Sequence, residues 1–397
     1  MNCPGPEGWL GCVKVSIVVM VVVSHTDSQG SPQTSHDPQQ HATVFPTTLS
    51  YTDAMRVTML LDTPHTPHHT AAQWVTGNPH AVVTTHAMPA TISALTRVLR
   101  AGELADATPI TWIPITRHDT STDWTFSAAA LATACGVTSL LPHGPTNPHH
   151  TAVLAVDHAM TAAHGWGVWA HLSRELTGTN LPAWRTQPPA HAATALATSI
   201  HAARDLLRHA DLHVVWDQPT PLTGFHGLGA VNALDGHEDP HTAQDNERFL
   251  TELISHYPHT DPQRSLTPTP SAKDLARVEG AGTGGGLTWL LSLSGVRHSH
   301  LSPYLANALN AETICASSDL IVAVQPTLDA RTIATTPAGI AAQAAAPHAI
   351  PVVVVATDII MGRRERAQHG IAGAYPSTTA TYNDTLQRVA RTWHEVL

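Results

Sequence analysis

From Met55 onward, short and nearly continuous apolar runs alternate with Ala-rich stretches of helical length. That alternation predicts βα units around a mainly parallel sheet, an α/β fold. Strands are expected over Val57–Leu61, Ala81–Thr84, Ile110–Ile115, His213–Trp216, Leu320–Val324 and Val352–Ala356. Helices are expected over Thr91–Arg100, Phe126–Ala134, Ala192–Arg208, Ala243–His256 and Asp384–Leu397. Two proline-punctuated loops, Leu141–His150 and Thr260–Ser271, read as crossings between domains.

The beginning of the chain does not share this pattern. Ser16–Val23 is an apolar run of eight residues, well short of the roughly 20 needed to span a bilayer. One Lys and one Glu precede it and no Ala-x-Ala-type cleavage site follows, which speaks against a signal peptide. The next stretch, up to Asp53, is rich in Ser, Gln, His and Pro and reads as a linker. Residues 1–54 are therefore expected to be a dispensable leader or a misassigned start, with folding beginning at the strand-like MRVTMLLD from Met55.

Composition narrows the function classes. With 397 residues and 42 % hydrophobic content, the chain can bury two domain cores. A formal net charge of -10 and the lack of any Lys/Arg block argue against nucleic-acid binding. Four scattered cysteines, Cys3, Cys12, Cys135 and Cys315, lack metal-type pairing and suggest a reduced, cytoplasmic setting. Lysine occurs only at 14 and 273, whereas histidine occurs 29 times. At that frequency the clusters His65-x-x-His68-His69, His149-His150 and His298-x-His300 are expected by chance, and no metal site is assigned to them.

The most informative segment is GAGTGGGLTWLLSL, Gly280–Leu293. A glycine-rich turn leading into a helix can bring backbone N–H groups close to an anion. Its G-x-G-x-x-G string lacks a clear preceding strand, and Gly and Leu stand where a Walker A loop has Lys and Ser/Thr. Downstream come the strand-like DLIVAVQPTLDART from Asp319, then TPAGIAAQAAA, then IPVVVVATD from Ile350. This order resembles the C-terminal third of bacterial glycerate kinases. A second match is DLHVVWDQPTPLTGFHGLGAV from Asp211, which keeps Asp217 and Pro221-Leu222-Thr223-Gly224 of a family motif, Cys-Asp-Val-Asp-Asn-Pro-Leu-Thr-Gly.

The resemblance implies a flavodoxin-like (Rossmann-like), mainly parallel sheet domain, here 55–140 plus 272–397, with a second α/β domain, 141–271, inserted into it. It also implies ATP-dependent phosphorylation of glycerate or a similar small hydroxy acid with Mg²⁺, and a small-molecule anion as partner without nucleic acid or membrane. Carried over by position, the catalytic candidates are Asp62, Asp217 and Asp329. Gly280, Gly282, Gly284, Gly285, Gly286 and Thr332 are candidates for nucleotide or substrate binding.

Much of the family's polar equipment is replaced. Where the family has Asp-Ser-Phe-Lys-Gly the chain has Asp62-Thr63-Pro64-His65-Thr66, and where it has Gly-Glu-Gly-Arg the chain has Val324-Gln325-Pro326-Thr327. The family's Asp-Gly-Gly-Glu-Gly stretch corresponds at best to Arg117–Ser121, without a glycine. Phosphoryl transfer needs cations, backbone donors and Mg²⁺-binding carboxylates together, and neutral His is a poor substitute for an ammonium. Two alternatives follow: a kinase that is weakly active or inactive, and a non-catalytic pseudokinase or small-anion-binding protein on the same fold.

Overall fold

A computed structural model describes residues 54–101, 110–115, 151–209, 212–258 and 270–394. The leader, the helix expected at Phe126–Ala134, the loop Leu141–His150 and nearly all of Thr260–Ser271 lie outside them. Nine strands are described: β1 (Arg56–Leu61), β2 (Val82–Ala87), β3 (Ile110–Ile115), β4 (Thr151–Val156), β5 (Leu212–Trp216), β6 (Arg297–His300), β7 (Leu320–Leu328), β8 (Val352–Ile359) and β9 (Ile371–Pro376). They form two sheets, ordered β2-β1-β7-β8-β9 and β3-β4-β5-β6, and every pairing in both is parallel.

The described residues divide into two compact units, 54–87 with 310–394, and 88–309. The division therefore falls elsewhere than at 140/141 and 271/272. β3 pairs with β4, and β6 pairs with β5. Residues 88–101, β3 and the stretch 272–309, glycine turn included, thus belong with the middle of the chain.

In the five-stranded unit the spatial order, counted along the chain, is 2-1-3-4-5, the flavodoxin-like arrangement. Val57, Met59 and Leu61 of β1, with Val322 and Val324 of β7 and Val353 and Val355 of β8, pack on Trp74, Leu386 and Val389 from two helices, Pro67–Gly77 and Tyr382–His394. A third helix, Pro337–Ala345, packs against β7 and β8. Burial on both faces explains why β7 and β8 read as unbroken apolar runs. Proline sits in the first turn of Pro67–Gly77 and Pro337–Ala345, where a missing N–H costs nothing, and Thr66 caps the former by accepting from His69 N–H at 3.2 Å.

In the four-stranded unit, Leu154 and Val156 of β4 and Val214 of β5 pack against Trp166, Trp169 and Leu172 of the helix Ala162–Thr177 and Leu196, Ile200 and Leu207 of the helix Pro189–His209. Three strands escaped the sequence pattern. β4 directly follows a proline-rich stretch of sequence, β6 is the polar tetrapeptide RHSH, and β9 carries a glycine and ends in proline. No helix among the described residues is long and apolar enough to cross a membrane.

Candidate functional site

Parallel α/β sheets gather ligand-binding groups just beyond the carboxyl ends of their strands, above all where the strand order reverses. In the five-stranded unit that reversal lies between β1 and β7. Asp62 directly follows β1 and Asp329 directly follows β7. Asp62 is buried, and its N–H donates to Val324 O at 2.7 Å. The Asp329 carboxylate accepts from the Arg331 backbone N–H at 3.1 Å and from its guanidinium Nη2 at 2.9 Å and Nε at 3.2 Å. Those bonds hold the Asp329 carboxyl below its ordinary range. Thr332 closes the same turn, its N–H donating to Asp329 O at 3.3 Å.

Two replaced positions flank these carboxylates. Gln325, only 4 % exposed, accepts from Ala338 N–H at 2.8 Å through Oε1 and donates through Nε2 to Thr327 O at 2.8 Å. It thereby satisfies an otherwise orphaned donor at the start of the helix Pro337–Ala345. His65 lies face to face with Tyr382, ring centroids 4.0 Å apart and planes 18° from parallel, with His69 on a neighbouring ring position at 5.5 Å. Partial burial, and secondarily the nearby His69, push the His65 pKa below its ordinary value. Both influences favour the uncharged ring.

In the four-stranded unit a second group forms beyond β4 and β5. Asp217, its side chain 3 % exposed, accepts from Ile92 N–H at the start of the helix Ile92–Ala101 through Oδ2 at 2.8 Å. Its Oδ1 faces His158 Nδ1 at 3.5 Å, and Asp157 Oδ1 lies 3.4 Å from the same nitrogen. At these distances the contacts are ion pairs rather than well-formed hydrogen bonds. Asp217 is the main influence holding the His158 pKa above its ordinary value; burial opposes it, and the charges of Asp157 and Asp235 assist. His298 accepts from Trp216 Nε1–H at 3.1 Å, and burial keeps both His298 and His300 below their ordinary values. One further set, His158, Asp235 and His237, brings a potential ligand atom from each residue within 4.8 Å of the others.

The glycine turn lies in this unit, and three of the backbone donors expected to face an anion are engaged within the protein. Gly282 N–H donates to Thr220 O at 2.9 Å, Gly284 N–H to Asp157 O at 3.0 Å, and Gly286 N–H to Gly282 O at 2.9 Å. The turn is buried, and the helix after it spans only Leu287–Leu293. The glycines are required by packing: a Cβ on Gly285 would meet Thr161 O at 1.9 Å, one on Gly280 the Trp216 ring at 2.1 Å, and one on Gly282 Pro221 O at 2.5 Å. Gly280, Gly284, Gly285 and Gly286 also have positive φ, between +64° and +87°. The turn clasps the ends of β4 and β5 to the helix Ala162–Thr177.

Comparison with known proteins adds the family. The profile of the glycerate kinase family matches residues 122–396. The chain belongs to the glycerate kinase family. A relative from Bacillus subtilis (strain 168), glycerate kinase, is 31 % identical over 167 residues, which cover 42 % of this chain and 41 % of the relative. That alignment thus spans about two fifths of the relative's length. The structure assigned as glycerate kinase 2 from Salmonella typhimurium LT2 superimposes with a TM-score of 0.54 at 16 % identity, covering 87 % of this chain and 98 % of that one. At that identity the likeness establishes a shared α/β fold.

Within this glycerate kinase-family fold, Asp62, Asp329 and Thr332 lie in one unit and Asp217 with the glycine turn in the other. Sequence reasoning missed Asp157, His158, Asp235 and His237. The available signal was VLAVDH, an apolar run ending in Asp157-His158, the same strand-end pattern that singles out Asp217.

Proposed function

We propose that this glycerate kinase-family protein has lost, or very nearly lost, ATP-dependent phosphorylation of glycerate or a similar small hydroxy acid, and that it serves as a pseudokinase on the family's fold. The carrying observation is His65. At the position where the family resemblance places a lysine, the side chain is an imidazole stacked on Tyr382, its pKa lowered by burial and by His69. A phosphate-binding ammonium is a flexible donor that carries its charge at pH 7, and a stacked imidazole supplies neither property.

Neighbouring groups point the same way. Among the described residues, those that would be assigned to MgATP do not fit it: Gln325 has no charge and spends both ends of its amide on structure. Arg331 is bound to Asp329, whose oxygens are thereby engaged. The N–H groups of Gly282, Gly284 and Gly286 are used internally. Removing one preorganised charge-stabilising group typically costs roughly 10² to 10³ in rate, so turnover at least about 10³-fold below an ordinary kinase is expected. Such losses are not additive, so several missing groups do not multiply the factor.

A coupled assay with MgATP and D-glycerate tests this reading, with thermal-shift measurements on the same ligands. Binding without turnover is the pseudokinase outcome. Turnover near about 1 s⁻¹ or faster, within the usual range of enzymes, overturns it. The triple variant His65→Lys, Gln325→Glu and Thr327→Arg is expected to recover little activity. A glutamate at 325 cannot donate to Thr327 O, and a site needs its backbone in place as well as its charges.

A further inference from the structure

Asp217 and His158 pose a local problem of hydrogen-bond accounting. Asp217 Oδ1 and His158 Nδ1 are both buried, face each other at 3.5 Å, and neither makes a hydrogen bond of good geometry. Unsatisfied polar atoms at such depth are costly. A neutral imidazole carrying its proton on the other ring nitrogen would present a lone pair to the carboxylate and make matters worse. The pair is satisfied when the proton sits on Nδ1, aimed at Asp217, which leaves Nε2 with a lone pair to offer elsewhere.

Two further ligand groups stand beside that histidine. His237 and Asp235 follow the helix Leu228–Leu234, and each brings a ligand atom within 4.8 Å of the others and of His158. Their turn is held rigidly. His237 N–H and Glu238 N–H both donate to Asn232 O, at 2.9 and 3.2 Å, and the fully buried Asn232 donates through Nδ2 to Met160 O at 3.3 Å. That bond ties the turn to the loop after β4 that carries His158. Gly236, with φ +70°, permits the tight reversal that puts Asp235 and His237 on one side.

We propose that His158, Asp235 and His237 form a divalent transition-metal site, zinc by preference, with Asp217 as the carboxylate that orients His158. Two imidazoles and one carboxylate leaving an open fourth position is a common zinc donor set, and a carboxylate on the second ring nitrogen of a metal-bound histidine is its usual support. Zinc bonds of about 2.0 to 2.2 Å place tetrahedral ligand atoms roughly 3.3 to 3.6 Å apart. To reach that spacing the three ligand atoms, which lie within 4.8 Å of one another, would have to draw together around the ion. Asp157 and Asp217 both lie against His158 Nδ1, and Asp235 stands in the set itself, so carboxylates are close on either side of that ring. This site is independent of whether the protein phosphorylates anything.

A competing state accounts for the same pair without metal: an imidazolium donating to Asp217. Metal analysis separates the two. The full-length chain, purified without a polyhistidine tag, is stripped with chelator, loaded with zinc, and dialysed against a weak competing chelator. One zinc retained per chain is expected, together with the visible d–d bands of four-coordinate cobalt when Co²⁺ replaces zinc. His158→Ala combined with His237→Ala should lose that ion, whereas His65→Ala combined with His68→Ala should keep it. Asp235→Asn, at an exposed position, provides a second loss-of-ligand variant should the histidine double variant fail to fold. Asp217→Asn should keep the stoichiometry and weaken zinc binding about 10- to 100-fold. Less than one zinc per chain in the parent, or an ion retained equally by the His158/His237 and Asp235 variants, overturns the site; unchanged affinity in Asp217→Asn overturns the orienting role.

Discussion

Replacing Gly285 by alanine tests whether the glycine turn exists for packing or for a ligand. Two costs add. An L-residue at φ +64° gives up roughly 1 to 2 kcal/mol to left-handed backbone geometry. The new methyl carbon would also lie 1.9 Å from Thr161 O and 2.9 Å from Gly165 N, both backbone atoms. Neither can swing aside as a side chain would, so the start of the helix Ala162–Thr177 must retreat. Thr161 O accepts the helical N–H of Gly165 at 3.1 Å, and Thr161 Oγ1 and N–H engage His164 Nδ1 at 3.0 and 3.2 Å. Disturbing one or two such bonds costs about 0.5 to 1.5 kcal/mol each, and loosening the apolar contacts of Trp166 and Leu287 adds a comparable amount. The expected total is about 3 to 5 kcal/mol, at the upper end for a single substitution.

Gly178 supplies the control. It caps the other end of the same helix at φ +71°, with nothing within 4 Å of a built Cβ. Gly178→Ala should therefore show only the backbone component, roughly 1 to 2 kcal/mol. Urea denaturation followed by tryptophan fluorescence reads both variants, since Trp166, Trp169 and Trp289 lie in the core that the turn completes. The reasoning is refuted if Gly285→Ala falls within about 1 kcal/mol of Gly178→Ala, a difference that contact with Thr161 could not leave so small. A turn shaped mainly for an anion would give that result, with loss of ligand and little loss of stability.

Two further outcomes follow from charge and burial. Arg56 Nη2 donates to Asp319 Oδ1 at 2.8 Å and Arg56 N–H to Oδ2 at 2.7 Å, joining the starts of β1 and β7 and holding the Asp319 carboxyl below its ordinary value. Because the folded-state pKa is the lower one, this contribution is present above the unfolded value of about 3.9 and is lost as pH falls through the folded pKa. Asp319→Asn should accordingly be less stable than the parent at neutral pH and lose less stability on acidification below about pH 4, as read from thermal melts across that range. Cys315 is fully buried, and burial pushes its thiol up to about 11. Peptide mapping after iodoacetamide at pH 8 should find Cys315 unmodified in native protein and alkylated in denaturant; rapid native labelling would show that the helix Ala311–Ala316 opens far more readily than its packing implies.

Local signals in the chain determine a large part of this molecule. Apolar runs mark β1, β5, β7 and β8 because strands buried on both faces cannot tolerate polar alternation. Asp62 and Asp217 are legible as strand-end residues for the same reason, each standing where such a run stops, whereas the run before Asp329 stops at Val324 and only the fold extends β7 to Leu328. Periodicity reports how deeply a segment is buried, not what lies across from it, and the remaining features depend on partners distant in sequence. RHSH becomes β6 only by pairing with His213–Trp216. The glycines of 280–286 look like an anion cradle in isolation, yet their partners are Thr161, Trp216, Pro221 and Asp157, brought in from two other strand ends and a helix start. Gln325 reads as a lost carboxylate until the fold places Ala338 N–H against it. His158, Asp235 and His237 carry no spacing motif at all. Only the chain's return beside β4, fixed by the buried amide of Asn232, sets them around one point.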